Sequence, residues 1–319
     1  MPTLALWAPQ YPQHRIVSQN LSTPAASSIR RQVRIALLAL FCCCTSLCQA
    51  EDALTPALAQ APAPIRFLLS FDDGPSGDHR NNSTEQVLDA LANNTVEPET
   101  KAIFFVQTRA ARGGGTEIGQ KLLRREQEEG HLLEFHTATE HHSNHRFLSE
   151  EEFEQSLNDG IADLSAIKGT VPTLVRPPFW NYDERTLAGY EKHGLHVLLT
   201  DLNANDGKIW GINFSLTKHH NMYKQLDELR KDWQAGKLPV VDGCTPIVVT
   251  FHDVNTYTSN HIEVYMKILV QVAQELNMPT TAKPFYDNSA DLEKAALAKT
   301  VKEGEVRPRL PGLWNWLWQ

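Results

Sequence analysis

Between residues 65 and 276, short apolar runs alternate with longer segments whose apolar positions return every three or four residues. The short runs are 65–71, 102–106, 131–135, 173–175, 196–199 and 247–251, lengths that suit buried strands. Helical spacing covers 84–91, with Val87, Leu88 and Leu91 on one face, and then 116–130, 149–167, 183–193, 221–233 and 262–276. Strand–helix alternation of this length predicts parallel pairing in an α/β architecture, either a barrel or a doubly wound sheet. Gly113-Gly114-Gly115 stand before Thr116 with no Gly-Lys-Ser/Thr after them, which predicts a capped helix start rather than a phosphate cradle.

In parallel α/β folds, chemistry gathers at the carboxyl ends of strands. Here the predicted strands end in Asp72-Asp73, His136, Arg176 and His252-Asp253, and a fifth runs into Asp201. One Asp-Asp-Gly is ordinarily a turn, but turns do not explain five polar clusters at five strand ends. Carboxylate and imidazole ligands with an open position suit a divalent metal ion.

Charge separates the front of the chain from its body. The net charge is −8, and without the first fifty residues, which hold four arginines and no acid, it is −12. That balance excludes a basic nucleic-acid-binding surface. Arg30, Arg31 and Arg34 precede an uncharged run over 35–47 and Ala50, the pattern of a secretory signal. The run is shorter than the ~20 residues that span a bilayer, so secreted or periplasmic export is expected ahead of an uncleaved anchor. Cleavage after Ala50 would remove four of the five cysteines and leave Cys244. The expected organisation is a targeting segment over 1–50 (signal about 30–50), an Ala/Pro-rich linker over 51–64, a catalytic domain over 65–285, and a C-terminal helix and Trp-rich tail over 286–319. Trp314, Trp316 and Trp318 alternate, so in an extended strand they would share one face and could contact glycan or membrane.

Ser70-Phe71-Asp72-Asp73-Gly74-Pro75 resembles the first motif of the polysaccharide deacetylases, the family four carbohydrate esterases, in which it reads Thr-Phe-Asp-Asp-Gly-Pro. The resemblance runs over about 65–275 in the family's motif order. It implies a single barrel-like (β/α) domain, distorted or incomplete, with Asp72 as general base and Asp73 as metal ligand. The second motif, His-Ser/Thr-x-x-His, is stretched: His136 is followed by Glu140 four positions on. The match of His142-Ser143-Asn144 and Leu148-Ser149 to the family's continuation places the second imidazole ligand at His142, with His141, His145 and Glu140 as alternatives in that order. Arg176-Pro177-Pro178-Phe179 resembles the third motif and implies that Arg176 positions the base and the backbone beside Phe179 contacts the oxyanion. Of the fourth motif two acids remain, Asp206 or Asp201, either of which could orient the catalytic histidine. Its tryptophan is missing, and Trp180 or Trp210 could line the substrate groove instead. The run ending in His252 matches the fifth motif and implies the general acid.

The implied activity is metal-dependent removal of acetyl groups, as N-acetyl amide or O-acetyl ester, from an acetylated oligo- or polysaccharide. Zn²⁺ is the expected ion, with Co²⁺, Ni²⁺ or Mn²⁺ as alternatives. Two rival readings stand beside it: a non-catalytic glycan-binding relative, and a hydrolase of other non-peptide C–N bonds. The stretched motifs support the first rival. An Asp72–Arg176 pair opposes it, because a binding module has no use for a base.

Overall fold

Among the described residues, eight parallel-paired strands make one sheet: β1 (Ile65–Asp72), β2 (Ile103–Gln107), β3 (Leu132–Thr137), β4 (Leu174–Val175), β5 (His196–Val197), β6 (Leu202–Asn203), β9 (Thr245–His252) and β10 (Thr280–Phe285). A small antiparallel pair, β7 (Lys208–Ile209) and β8 (Ile212–Asn213), stands apart. The helices are α1 (Ser83–Asn93), α2 (Glu117–Glu128), α3 (Glu150–Lys168), α4 (Glu184–Lys192), α5 (Lys218–Gln234), α6 (Thr256–Ser259), α7 (Ile262–Glu275) and α8 (Ser289–Leu297). The computed structural model describes residues 61–206, 208–209, 212–213 and 217–302. The expected targeting segment, most of the linker, Trp210 and the Trp-rich tail lie outside them. Among the described residues no helix is long and apolar enough to cross a membrane.

The strand order decides between the two architectures. It runs β5-β4-β3-β2-β1-β9-β6, with β10 branching onto the first half of β1. The outermost strands, β5 and β6, are separated in sequence only by residues 198–201. Laid flat, seven strands at ~4.8 Å would set their outer members about 29 Å apart. Five residue steps reach at most about 18 Å. The sheet therefore curls into a barrel that is open along one seam, as the resemblance implied.

Period-two alternation divides its two faces. Ile65, Phe67, Leu69 and Phe71 pack outward with the helices in the larger core, together with Phe104, Phe135, Val249 and Phe251. Leu68, Ile103, Phe105, Leu132, Leu174 and Val248 form a second, inner cluster, which α8 joins through Leu292, Ala295 and Ala296. Continuing the inner positions up the same strands gives Ser70 and Asp72, Gln107, His136, Arg176, Thr250 and His252. The interior is thus apolar at its base and polar at its rim.

Helix signals in the sequence have local causes in the structure. Ser149 and Glu152 form a capping box at the start of α3, and Gly169 ends it in the left-handed region at φ 74°. Thr116 caps α2, as expected. The glycines before it are a packing requirement, since a Cβ on Gly114 would lie 2.2 Å from the Gln107 carbonyl oxygen.

Candidate active site

β1 delivers Asp72 inward, and the chain then turns at Asp73, whose φ is 74°. Gly74 follows because the Asp253 carboxylate fills its side-chain space: a Cβ there would meet Asp253 Oδ2 at 2.2 Å. The turn sends two neighbouring carboxylates into different surroundings.

Asp72 is buried against donors. Arg176 Nη1 donates to its Oδ1 at 2.8 Å, and Trp180 Nε1 donates to its Oδ2 at 3.1 Å. Arg176 spans the barrel interior with no exposed surface. Its Nε donates to the Leu198 carbonyl at 3.0 Å, its Nη1 also reaches Ser70 Oγ (2.8 Å) and Thr250 Oγ1 (3.0 Å), and its guanidinium lies 4.2 Å over the Phe105 ring. Burial lowers the Arg176 pKa, which Asp72 partly offsets. Guanidinium remains charged even so. Trp180, expected as a groove wall, is only 7% exposed and instead holds the carboxylate. Its neighbour Phe179 is 49% exposed and stacks on His142 at 4.4 Å. Both take left-handed backbone, at φ 61° and 54°, in the turn after Pro178.

Asp73 is half-buried and faces mainly acceptors. His136 Nε2 lies 3.2 Å and His142 Nε2 3.4 Å from Asp73 Oδ1, and the two Nε2 atoms are 3.1 Å apart. His136 Nδ1 donates to the Arg176 carbonyl at 2.6 Å, which leaves its Nε2 lone pair facing the cluster. Burial pushes His142 down to about 4, so it is neutral and equally able to coordinate. Burial alone would raise the Asp73 pKa, but the surrounding imidazoles of His136, His142 and His252 hold it below the usual carboxylate range. Four ligands about 2.0–2.1 Å from a tetrahedral ion sit about 3.4 Å from each other. The observed separations of 3.1 to 3.4 Å match that edge, so these residues fit a divalent ion. The alternatives for the second imidazole lie elsewhere: Glu140 and His141 are exposed, and His145 is buried behind the loop.

β9 brings His252 beside Asp72 in register. Its Nδ1 hydrogen-bonds Asp206 Oδ1 at 2.8 Å, and its backbone N–H donates to Asp206 Oδ2, also at 2.8 Å. Its Nε2 is 3.9 Å from Asp73 Oδ2. Burial opposes protonation of His252, but Asp206, with Asp73 and Asp72, lifts its pKa to about 10. Of the two acids that the sequence left open, Asp206 is therefore the one that orients His252. Asp201 instead accepts from the Val248 N–H at 2.8 Å and pairs with Lys299.

Four contributors escaped the sequence reading. Gln107 Nε2 donates to Asp73 Oδ1 at 3.2 Å. Ser70 and Thr250 hold the Arg176 guanidinium, and Thr258 holds Asp206. Ser70 and Thr250 stand two positions before Asp72 and His252, so a polar residue at an inner position of an apolar strand was the available signal. Gln107 and Thr258 carried none.

Residues 59–198 match the family model for polysaccharide deacetylase. Those residues carry a polysaccharide deacetylase domain. The matched span holds Asp72, Asp73, His136, His142 and Arg176, whereas Asp206 and His252 lie beyond its end. A chitin deacetylase of Pestalotiopsis sp is 29% identical over 143 residues, 45% of this chain and 44% of that protein. The peptidoglycan-N-acetylglucosamine deacetylase PgdA of Listeria monocytogenes is 25% identical over 248 residues, 77% of this chain and 44% of that protein. The chain spans about half the length of the curated relatives it matches. Among solved structures, the chitin deacetylase of Colletotrichum lindemuthianum aligns at 21% identity with a TM-score of 0.49, covering 70% of this chain and 87% of that one.

Proposed function

We propose that this chain is an exported, divalent-metal-dependent hydrolase that removes N-acetyl groups from a polymer of N-acetylated amino sugars. The observation that carries the reading is the meeting, at one barrel rim, of a donor-held carboxylate (Asp72), an acceptor-only triad (Asp73, His136, His142) and a carboxylate-held imidazolium (His252). The deacetylase domain over 59–198 supports the hydrolase class, and the names of the chitin and peptidoglycan relatives support the amide substrate.

Asp73, His136 and His142 would hold the ion, most simply Zn²⁺, with Co²⁺, Ni²⁺ or Mn²⁺ as alternatives. The ion supplies Lewis-acid polarisation of the acetyl carbonyl. Asp72, fixed by Arg176 and Trp180, takes the proton of the attacking water. His252, kept charged by Asp206, gives its proton to the departing nitrogen, which cannot leave as an amide anion. Backbone N–H beside Phe179 is the candidate donor to the oxyanion.

Acetate release from N-acetylated chitooligomers, before and after chelation and metal return, tests the reading. Activity that disappears on chelation and returns with the ion is expected. No acetate from N-acetylated or O-acetylated glycans at full metal loading would overturn it in favour of a glycan-binding relative. Export rests on the arginine-flanked apolar run, and cleavage after Ala50 predicts a mature chain that starts at Glu51. Mass spectrometry of exported protein that still carries residues 35–47 would refute that part alone.

A further inference from the structure

Behind the loop that carries His142 lies a third histidine that the chemistry above leaves unused. His145 is fully buried, among the rings of Phe135, Phe153 and Tyr190. Its Nδ1 is 2.8 Å from the Tyr190 hydroxyl, and its Nε2 is 3.1 Å from Oγ1 of Thr137, the residue that follows His136. Thr137 Oγ1 is 3.1 Å from Thr139 Oγ1, and the Thr139 hydroxyl reaches the His141 carbonyl. The Ser143 N–H donates to Thr139 Oγ1 at 3.3 Å. Thr139 therefore holds the residues on both sides of His142.

Proton counting gives this chain one direction. A carbonyl cannot donate, so the single Thr139 hydroxyl proton goes to His141. Thr139 must then accept from the Thr137 hydroxyl, whose own proton is thereby spent. Thr137 must in turn accept from His145 Nε2–H. In a neutral imidazole this leaves Nδ1 as an acceptor, and Tyr190 donates to it. Ser156 braces the same knot, its Oγ accepting the Ala138 N–H at 3.2 Å. Aligned hydrogen bonds of this kind polarise one another in a low-dielectric interior.

We infer that His145 is a positioning residue for the candidate metal centre: as the Nε2–H tautomer it links Tyr190 to the His141 carbonyl and fixes where the loop presents His142. The inference rests on reading Asp73, His136 and His142 as that centre. The loop needs such a device, because the two histidines lie six positions apart and the intervening segment has more than one exposed residue. Burial drives His145 down to about 3, so the imidazole is neutral at any pH where the enzyme would work.

Two measurements test it. Nitrogen-15 NMR of the chelator-treated protein should show His145 protonated at Nε2 and bare at Nδ1; the opposite tautomer overturns the chain. Thr139→Val removes the linking hydroxyl at a partly exposed site and should weaken Co²⁺ binding about 10- to 100-fold. It should also alter the Co²⁺ absorption spectrum while leaving the melting temperature of the chelated protein in place. Thr139→Ser, which restores the hydroxyl, should return affinity to within about threefold of wild type. Wild-type Co²⁺ affinity in Thr139→Val, or equal losses in Thr139→Val and Thr139→Ser, overturns the positioning role. His136→Ala is run alongside. Undiminished Co²⁺ binding in that variant would instead bring down the metal-centre reading itself, whichever tautomer His145 adopts.

Discussion

Asp72 meets a guanidinium at 2.8 Å and an indole N–H at 3.1 Å, whereas Asp73, the next residue, meets two imidazole nitrogens at 3.2 and 3.4 Å that also crowd each other. Around Asp72, donors and acceptors are matched inside the protein, and the base is fixed without any outside partner. Around Asp73 lone pairs outnumber protons. Such an arrangement is costly unless a cation enters it. Two carboxylates one peptide bond apart can therefore be assigned different tasks by counting the protons around each.

The comparison breaks most easily at the two carboxylates themselves. Asp73→Ala, like His136→Ala, should abolish metal binding, measured by calorimetry and by metal content after dialysis. Asp72→Asn should keep the ion and lose about 10²–10⁴-fold in turnover, the usual worth of a general base. Metal lost from Asp72→Asn and retained by Asp73→Ala would reverse the assignment.

Stability separates the same pair next. Arg176→Met strands a buried carboxylate and should cost about 3–5 kcal/mol in denaturant unfolding. Adding Asp72→Asn to that variant removes the stranded charge and should recover part of the loss, a coupling that a double-mutant cycle reads directly. Simple addition of the two losses would show that the pair is not the unit described above.

A third, smaller effect belongs to Asp206. The folded pKa of His252 is raised from its ordinary 6.5 to about 10. Its contribution to stability is therefore complete below about pH 6.5 and is lost as the pH rises toward 10. Chelated wild-type protein should weaken across that window, and Asp206→Asn should flatten the decline. An identical pH slope in wild type and variant would detach Asp206 from the protonation of His252.

How far the sequence went depended on the range of each interaction. Strands β1, β2, β3 and β9 were readable because their apolar runs are continuous, and the rim residues because they end those runs. The pair β6 and β10 was not: β6 has two residues, and β10 is the polar Thr-Thr-Ala-Lys-Pro-Phe, which touches only the first half of β1. Asp201 and Asp206 looked alike because their difference lies in distant partners, Lys299 for one and His252 for the other. Trp180 stood beside Trp210 as an alternative lining of the groove because nothing local reveals that a turn with two left-handed residues buries its ring.

That tryptophan supplies the finest test of the contrast. Its indole N–H is the second donor to Asp72 and lies 3.1 Å from Oδ2, while the first donor, Arg176, holds Oδ1. Trp180→Phe deletes the N–H and keeps an aromatic ring in the buried position, so the volume lost is modest. Hydrogen bonds to charged groups are worth about 1.5–3 kcal/mol, but Arg176 remains to hold the carboxylate. The expected loss in kcat is thus about tenfold, near the lower end of that range. Co²⁺ affinity should not change, because no ligand of the triad depends on the indole. A groove-wall role predicts a different pattern: KM should rise with longer oligomers while kcat stays near wild type. Measuring kcat and KM for a short and a long chitooligomer therefore decides whether Trp180 serves the base from behind or the sugar from in front.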